Sequence, residues 1–84
     1  MHELPIEDSI DLHTFHPGDI QIAVEEYLFQ AITKGFREVR IIHGRGIGVQ
    51  REIVRSLLSK HPNVASFQDA PNRGSTVVVL VASS

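Results

Sequence analysis

The fold is decided by one segment of the chain, Phe36-Arg37-Glu38-Val39-Arg40-Ile41-Ile42-His43-Gly44-Arg45-Gly46-Ile47-Gly48-Val49. Its first half, residues 36–43, is rich in β-branched residues and is typical of a largely buried strand. Three glycines in the next five positions interrupt regular structure, and residues 49–60 then place apolar side chains at helical spacing. The segment therefore predicts a strand that passes through a glycine-rich loop into a helix.

The residues before this segment predict a strand and a helix. Residues 9–13 alternate polar and apolar side chains, which predicts a strand whose polar face carries Asp11 and His13. Pro17 and Gly35 are typical of a first helical turn and of a helix stop. Between them, apolar residues at spacings of three and four form one helical stripe: Ile20, Ala23, Val24, Tyr27, Leu28, Ala31 and Ile32.

The residues after the glycine loop complete the predicted architecture. The second helix has one apolar face, formed by Val49, Ile53, Val54, Leu57 and Leu58. Residues 64–69 predict a short strand, residues 70–74 a turn, and the valine-rich residues 75–82 a strand near the centre of the sheet. A helix between the first two strands requires a right-handed parallel crossover, and two helices cover one face of a four-stranded sheet. The predicted fold class is thus α/β, a two-layer βαβαββ sandwich with a mixed sheet.

Length and composition restrict the domain organisation and the location. A chain of 84 residues supports one hydrophobic core, which we expect to span residues 8–84, with residues 1–7 as a flexible N-terminal segment. The absence of cysteine fits a reducing compartment, so we expect the chain to be cytoplasmic. The longest apolar run, residues 77–82, is too short to cross a bilayer, so no membrane partner is expected.

The formal net charge of -2 hides an uneven distribution along the chain. Residues 1–33 contain seven acidic residues and no lysine or arginine, whereas residues 34–60 contain seven basic residues against two acidic ones. Because the basic segment includes the glycine loop, the sequence predicts a localised face for a polyanion.

Candidate functional residues gather at one edge of the predicted sheet. The carboxyl ends of the first two strands lie together if these strands are parallel, which brings Asp11, His13 and His43 to the glycine loop. Amides of that loop and of the following helix N-terminus favour an anion, and nearby arginines add cationic contacts: Arg45, Arg51 and Arg55. Asp11 and His13 are suited to acid–base chemistry or to holding a divalent ion such as Mg²⁺.

Each of these features also has a purely structural interpretation. Glycine-rich turns occur for steric reasons alone, and this one is not the phosphate-binding G-x-x-x-x-G-K-[ST] loop, because no Lys-Ser/Thr pair follows Gly48. A histidine at the end of an apolar strand, such as His43, is more often a hydrogen-bonded structural residue. Asp11 can cap loop amides, and Arg51 and Arg55 can form a solvated helix face.

Three motifs in order resemble those of the Smr (small MutS-related) domain family, across about residues 8–82. They are Ile10-Asp11-Leu12-His13, the loop from His43 to Arg51, and Gly74-Ser75-Thr76-Val77-Val78-Val79-Leu80. Two positions depart from the family pattern: Thr14 stands where a glycine is usual, and the turn before Gly74 is shortened.

The resemblance implies a fold like the C-terminal domain of bacterial translation initiation factor three, and a nucleic-acid partner: duplex or branched DNA, or RNA. It implies that Asp11 and His13 act where family members nick or cleave, with His43 as a further candidate. It also implies that the loop and helix contact nucleic acid through Gly44, Arg45, Gly46, Gly48, Arg51 and Arg55. Endonuclease activity and non-catalytic binding of nucleic acid or protein both stay open, as do the oligomeric state and the need for a metal.

Overall fold

The computed structural model describes residues 8–44, 48–71 and 74–81. Its elements follow the predicted βαβαββ order: β1 Ser9–Asp11, α1 Pro17–Thr33, β2 Glu38–Ile42, α2 Gly48–Lys60, β3 Val64–Asp69 and β4 Ser75–Leu80. The predicted α/β fold class is thereby confirmed, although the first, second and fourth strands are shorter than the sequence pattern suggested.

The four strands form one mixed sheet in the order β1-β2-β4-β3. β1 is parallel to β2, as a right-handed crossover through α1 requires, and β4 is antiparallel to both of its neighbours. The valine-rich β4 is therefore an inner strand, as predicted. β1, β2 and β3 all end, and β4 begins, at one edge of the sheet, which we call the carboxyl edge.

β1 ends early because a side chain takes over a backbone hydrogen bond. The Asp11 carboxylate accepts the His13 N–H at 3.0 Å, and the Phe15 N–H donates to the Leu12 carbonyl at 2.9 Å. Aspartate commonly closes a turn in this way, which competes with continued strand pairing. The predicted strand 9–13 is thus wrong at its end, and His13 lies in a turn.

α1 follows the sequence pattern closely. Pro17 occupies its first turn, where the missing N–H costs nothing, and Gly35 just beyond its end has a φ of 85°, a left-handed conformation that favours glycine. The predicted stripe faces the core, with Ile20, Val24, Leu28 and Ala31 fully buried and Tyr27 nearly so.

α2 departs from its predicted face at one position. Val49 is 62% exposed, and the neighbouring Gln50 is buried in its place. Gln50 faces the loop between β1 and α1, where its side-chain amide donates to the Phe15 carbonyl at 2.6 Å. A polar side chain suits this position because the loop offers a backbone acceptor that an apolar residue would leave unpaired.

The helices and the sheet form two layers. Leu12, Val39, Ile41, Val78 and Leu80 face the helices and are buried with them in one core. The opposite face of the sheet is open, with these exposed side chains: Glu38, Arg40, Ser66, Gln68 and Val79. No helix in the described part of the chain is long and apolar enough to cross a membrane.

Candidate functional site

The carboxyl edge brings the predicted catalytic residues to adjacent strand ends. Asp11 is paired with Ile42, and the Leu12 N–H donates to the Ile42 carbonyl at 2.7 Å. The amides of His43 and Gly44 both donate to the Gly74 carbonyl at 3.0 Å. Three strand ends are therefore tied together through their backbones, with the Asp11–His13 turn on one flank of the start of the glycine loop.

Asp11 and His13 form a dyad at the surface of this edge. The Asp11 carboxylate, besides accepting the His13 amide, is hydrogen-bonded to Nδ1 of the His13 ring. The hydrogen bond from the His13 side chain, and then that from its amide, lower the pKa of Asp11 below its ordinary value. The side chains stay accessible, with His13 56% and Asp11 51% exposed.

The dyad fixes the chemistry that the His13 ring can offer. Since an ionised carboxylate only accepts hydrogen bonds, the Nδ1 atom that faces Asp11 carries the proton. In the neutral ring, Nε2 is then the acceptor, which is the arrangement of an oriented general base. Asp11 therefore closes the turn and orients His13 with the same carboxylate.

His43 lies in a different environment from the dyad. Its side chain is fully buried, with Nε2 3.0 Å from the Thr76 hydroxyl and Nδ1 3.3 Å from the Gly44 carbonyl. The ring joins the end of β2 to the start of β4 and has no exposed surface for a ligand. The structure therefore places His43 in the interior, whereas His13 lies at the surface.

The glycine loop is described only at its two ends. Gly44 has a φ of 93°, a backbone conformation that side chains with a Cβ rarely adopt, and its amide is already bonded to Gly74. Gly48 begins α2 and has open space around it. Arg45 and Gly46 lie outside the described residues.

Arg51 and Arg55 converge on a carboxylate that sequence reasoning did not single out. Asp69, the last residue of β3, accepts from Arg51 and, at 3.2 Å, from Arg55. Arg55 also lies over the Phe67 ring, 5.5 Å from its centre. The two arginines are thus held by β3 rather than free on a solvated stripe, with 41% and 40% of their side chains exposed.

Asp69 connects the arginines to the buried histidine. The Thr76 hydroxyl donates a hydrogen bond to the Asp69 carboxylate at 3.4 Å, and the same hydroxyl lies 3.0 Å from His43 Nε2. The hydrogen bond from Arg51 lowers the pKa of Asp69, and the same bond raises the pKa of Arg51. The predicted turn at residues 70–74 could have signalled this cluster, because a hairpin there sets Asp69 opposite Thr76.

The described residues at the carboxyl edge do not form a cluster of three or more metal-binding side chains. Within residues 8–44, 48–71 and 74–81, no three histidine, aspartate or glutamate side chains come close enough to hold a metal ion. Asp11 and His13 are hydrogen-bonded to each other.

The basic segment does not form the single face that its sequence suggested. Arg51 and Arg55 lie in the half of α2 next to the carboxyl edge, whereas Arg40 lies on the open face of the sheet. The other basic residues that the structure describes lie at the opposite edge of the sheet. Lys34 and Lys60 are at the C-terminal ends of α1 and α2, and Arg37 comes just before β2.

The fold and these strand ends define a class: a small α/β sandwich with an Asp-Leu-His turn beside a His-Gly loop. The family model of the Smr domain matches residues 10–83, and the chain belongs to this family.

The comparisons include curated proteins and solved structures. The chain is 39% identical over 95% of its length to endonuclease MutS2 of Caldicellulosiruptor saccharolyticus, and 42% identical over 93% to that of Caldicellulosiruptor bescii. It spans only 11% and 10% of these two relatives. The Smr domain of Thermus thermophilus MutS2 superimposes with a TM-score of 0.81 at 33% identity, over 86% of this chain and 95% of that one. YdaL, a stand-alone small MutS-related protein from Escherichia coli, gives 0.85 at 25% identity, over 92% and 66%.

Proposed function

We propose that this Smr domain binds nucleic acid at its carboxyl edge and cleaves phosphodiester bonds there with the Asp11–His13 dyad. The observation that carries the proposal is that Asp11 bonds to both the amide and the ring of His13 while both side chains stay exposed. Structural aspartates need only the amide bond, whereas orientation of an accessible imidazole is what acid–base catalysis requires. The name of the MutS2 relatives, endonuclease, supports the same chemistry.

The dyad would act on a phosphodiester as follows. His13 Nε2 takes a proton from the attacking oxygen, which is water or, in RNA, the ribose 2′-hydroxyl, and Asp11 stabilises the resulting imidazolium. The attacking oxygen bonds to phosphorus while the P–O bond to the leaving oxygen breaks, and the leaving oxygen takes a proton from solvent. The exposed part of the Arg51 guanidinium would neutralise phosphate oxygens, and the amides at the start of α2 would donate hydrogen bonds to them. His43 acts as a positioning residue, since its buried ring holds the first residue of the loop against β4.

Binding and cleavage are tested separately on labelled duplex DNA, branched DNA and RNA. His13→Ala is expected to lower the cleavage rate about 100-fold or more while affinity changes little, because a general base contributes on the order of 10²–10⁴ to the rate. His16→Ala is the matched control, because His16 is an exposed histidine of the same loop with no side-chain capping bond.

The controls determine which part of the proposal fails. Cleavage that survives both His13→Ala and Asp11→Asn would mean that another site or a contaminant does the chemistry. Binding without cleavage on all three substrates would leave a non-catalytic binding module. No binding at low salt would remove the nucleic-acid function altogether, since phosphate contacts are strongest there.

A further inference from the structure

The outer surface of the helix layer has a groove that the carboxyl-edge site does not use. α1 and α2 both lead away from the carboxyl edge, so they run in the same direction and leave a furrow of about 690 Å³ between them. Its floor is apolar, formed by Val24 and Leu28 of α1 and by Ile53 and Leu57 of α2. The α2 pair is only partly buried, so apolar surface remains open to solvent.

A second depression continues the apolar surface at the C-terminal end of the groove. Both share His61 and Pro62, and the second is also lined by Phe29 and Ile32. Phe29 is 67% exposed, a large aromatic side chain without cover. A furrow with an apolar floor and an aromatic residue at one end is the shape that accepts an amphipathic helix.

The charged residues of the groove determine what can lie in it. Glu25 of α1 and Glu52 of α2 are exposed on its two walls, and neither has a salt bridge within the described residues. α1 as a whole carries three acidic residues, Asp19, Glu25 and Glu26, and no basic one. Lys60 lies at the far end of the same groove.

We infer that this groove binds a basic amphipathic helix of a partner protein. Its apolar residues would cover Ile53 and Leu57, and a lysine or arginine would lie between the two facing glutamates. The charges disfavour the other occupants. A nucleic acid or an anionic lipid surface would meet Glu25 and Glu52 with like charge, and a second copy would bring the same acidic walls together in a symmetric dimer. The inference does not depend on the proposed cleavage, because it uses none of the residues of the carboxyl edge.

The test titrates the full ¹⁵N-labelled chain with a 14-residue peptide, two repeats of Leu-Lys-Lys-Leu-Leu-Lys-Leu, blocked at both ends. Amide shifts are expected along the facing sides of α1 and α2. The double variant Glu25→Lys and Glu52→Lys should bind about tenfold more weakly, as expected when two rim pairs become repulsive. Phe29→Ser, at an exposed position that the core does not need, should weaken binding severalfold.

Matched controls separate this groove from general attraction. The double variant Asp8→Lys and Glu38→Lys makes the same charge change away from the groove, since Asp8 is exposed beside β1 and Glu38 is exposed on β2. This variant should leave the affinity for the peptide unchanged. A peptide with glutamate in place of every lysine should not bind. The inference is overturned if both double variants weaken binding equally, if the shifts map to the carboxyl edge, if the glutamate peptide binds as well, or if the chain forms a dimer that covers the groove.

Discussion

Asp69 should stabilise the domain through its charge, and Asp69→Asn isolates that charge. The amide keeps the shape of the side chain but no longer forms ion pairs with Arg51 and Arg55. Because both guanidinium groups are about 40% exposed, each ion pair is worth no more than a surface pair, roughly 0.2–1 kcal/mol. Thr76 still finds an acceptor in the amide oxygen, so the two pairs together give an expected total loss of about 0.5–2 kcal/mol.

The measurement is urea unfolding followed by tyrosine fluorescence and circular dichroism. Tyr27 is the single tyrosine, there is no tryptophan, and it is buried against the core, so its emission reports directly on unfolding. A loss of this size lowers Tm by roughly 2–16 °C, since 1 kcal/mol corresponds to about 4–8 °C in a domain of 60–100 residues.

The pH dependence distinguishes charge from packing. The pKa of Asp69 in the folded state lies below its ordinary value of 3.8, chiefly because of the Arg51 hydrogen bond. Its stabilisation is therefore complete above pH 3.8 and is lost as pH falls through the lower, folded-state pKa. The lowered pKa of Asp11 is present in both proteins and cancels in their difference.

The free energies of unfolding of wild type and Asp69→Asn should show their full difference at pH 7, and this difference should shrink as the pH falls toward 2. Glu38→Gln, a neutralised acid on the open face of the sheet, should stay within about 0.5 kcal/mol of wild type at pH 7. A stability gap that is equally large at pH 7 and pH 2 would refute the electrostatic reasoning and assign the loss to packing.

Three further changes probe the backbone, the loop contact and the core, each by urea unfolding. Gly44→Ala should lower the free energy of unfolding by about 1–2 kcal/mol, because φ is 93° at this position. Its control, Gly48→Ala, lies in open space at a helical position and should leave stability unchanged or raise it by up to about 0.5 kcal/mol. Equal effects of the two variants would contradict the conformational argument. Gln50→Leu leaves the Phe15 carbonyl without its donor, which should cost about 1–3 kcal/mol and speed hydrogen exchange of the Phe15 amide; unchanged exchange would mean that the bond does not hold the loop. Leu12→Ala removes a fully buried side chain and should cost about 2–5 kcal/mol, so a loss below 1 kcal/mol would place Leu12 outside the core.

Local signals in the sequence were sufficient for the elements and their order. The stripe of α1, its proline start and its glycine stop are properties of neighbouring residues, and the structure agrees with each of them. Gln50 could not be predicted to replace Val49 in the interior, because its burial depends on a carbonyl 35 positions earlier in the chain. Helical periodicity carries no information on which polar side chain meets such a partner.

In the candidate site, too, the sequence was sufficient to predict some features but not others. Parallel pairing of β1 with β2 follows from the βαβ pattern, and it alone brings Asp11, His13 and His43 to one edge. The sequence could not separate an exposed histidine from a buried one, since both follow short apolar segments. Burial of His43 results from its position over Thr76, a contact 33 positions apart that only the completed sheet creates.

The positions of the basic residues limit how strongly the proposed interface can bind a polyanion. Of the basic residues in segment 34–60 that the structure describes, only Arg51 and Arg55 lie near the carboxyl edge, and both already share Asp69. Even with Arg45 added, two or three phosphates at most would be neutralised. For duplex DNA the slope of log affinity against log salt concentration is about −0.9 for each neutralised phosphate. Two or three phosphates therefore give this domain an expected slope of about −2 to −3. A steeper slope would require cations from outside this edge. Asp69→Asn, which frees both arginines from their carboxylate, should move the slope toward −3, the steeper end of this range, even as it destabilises the fold.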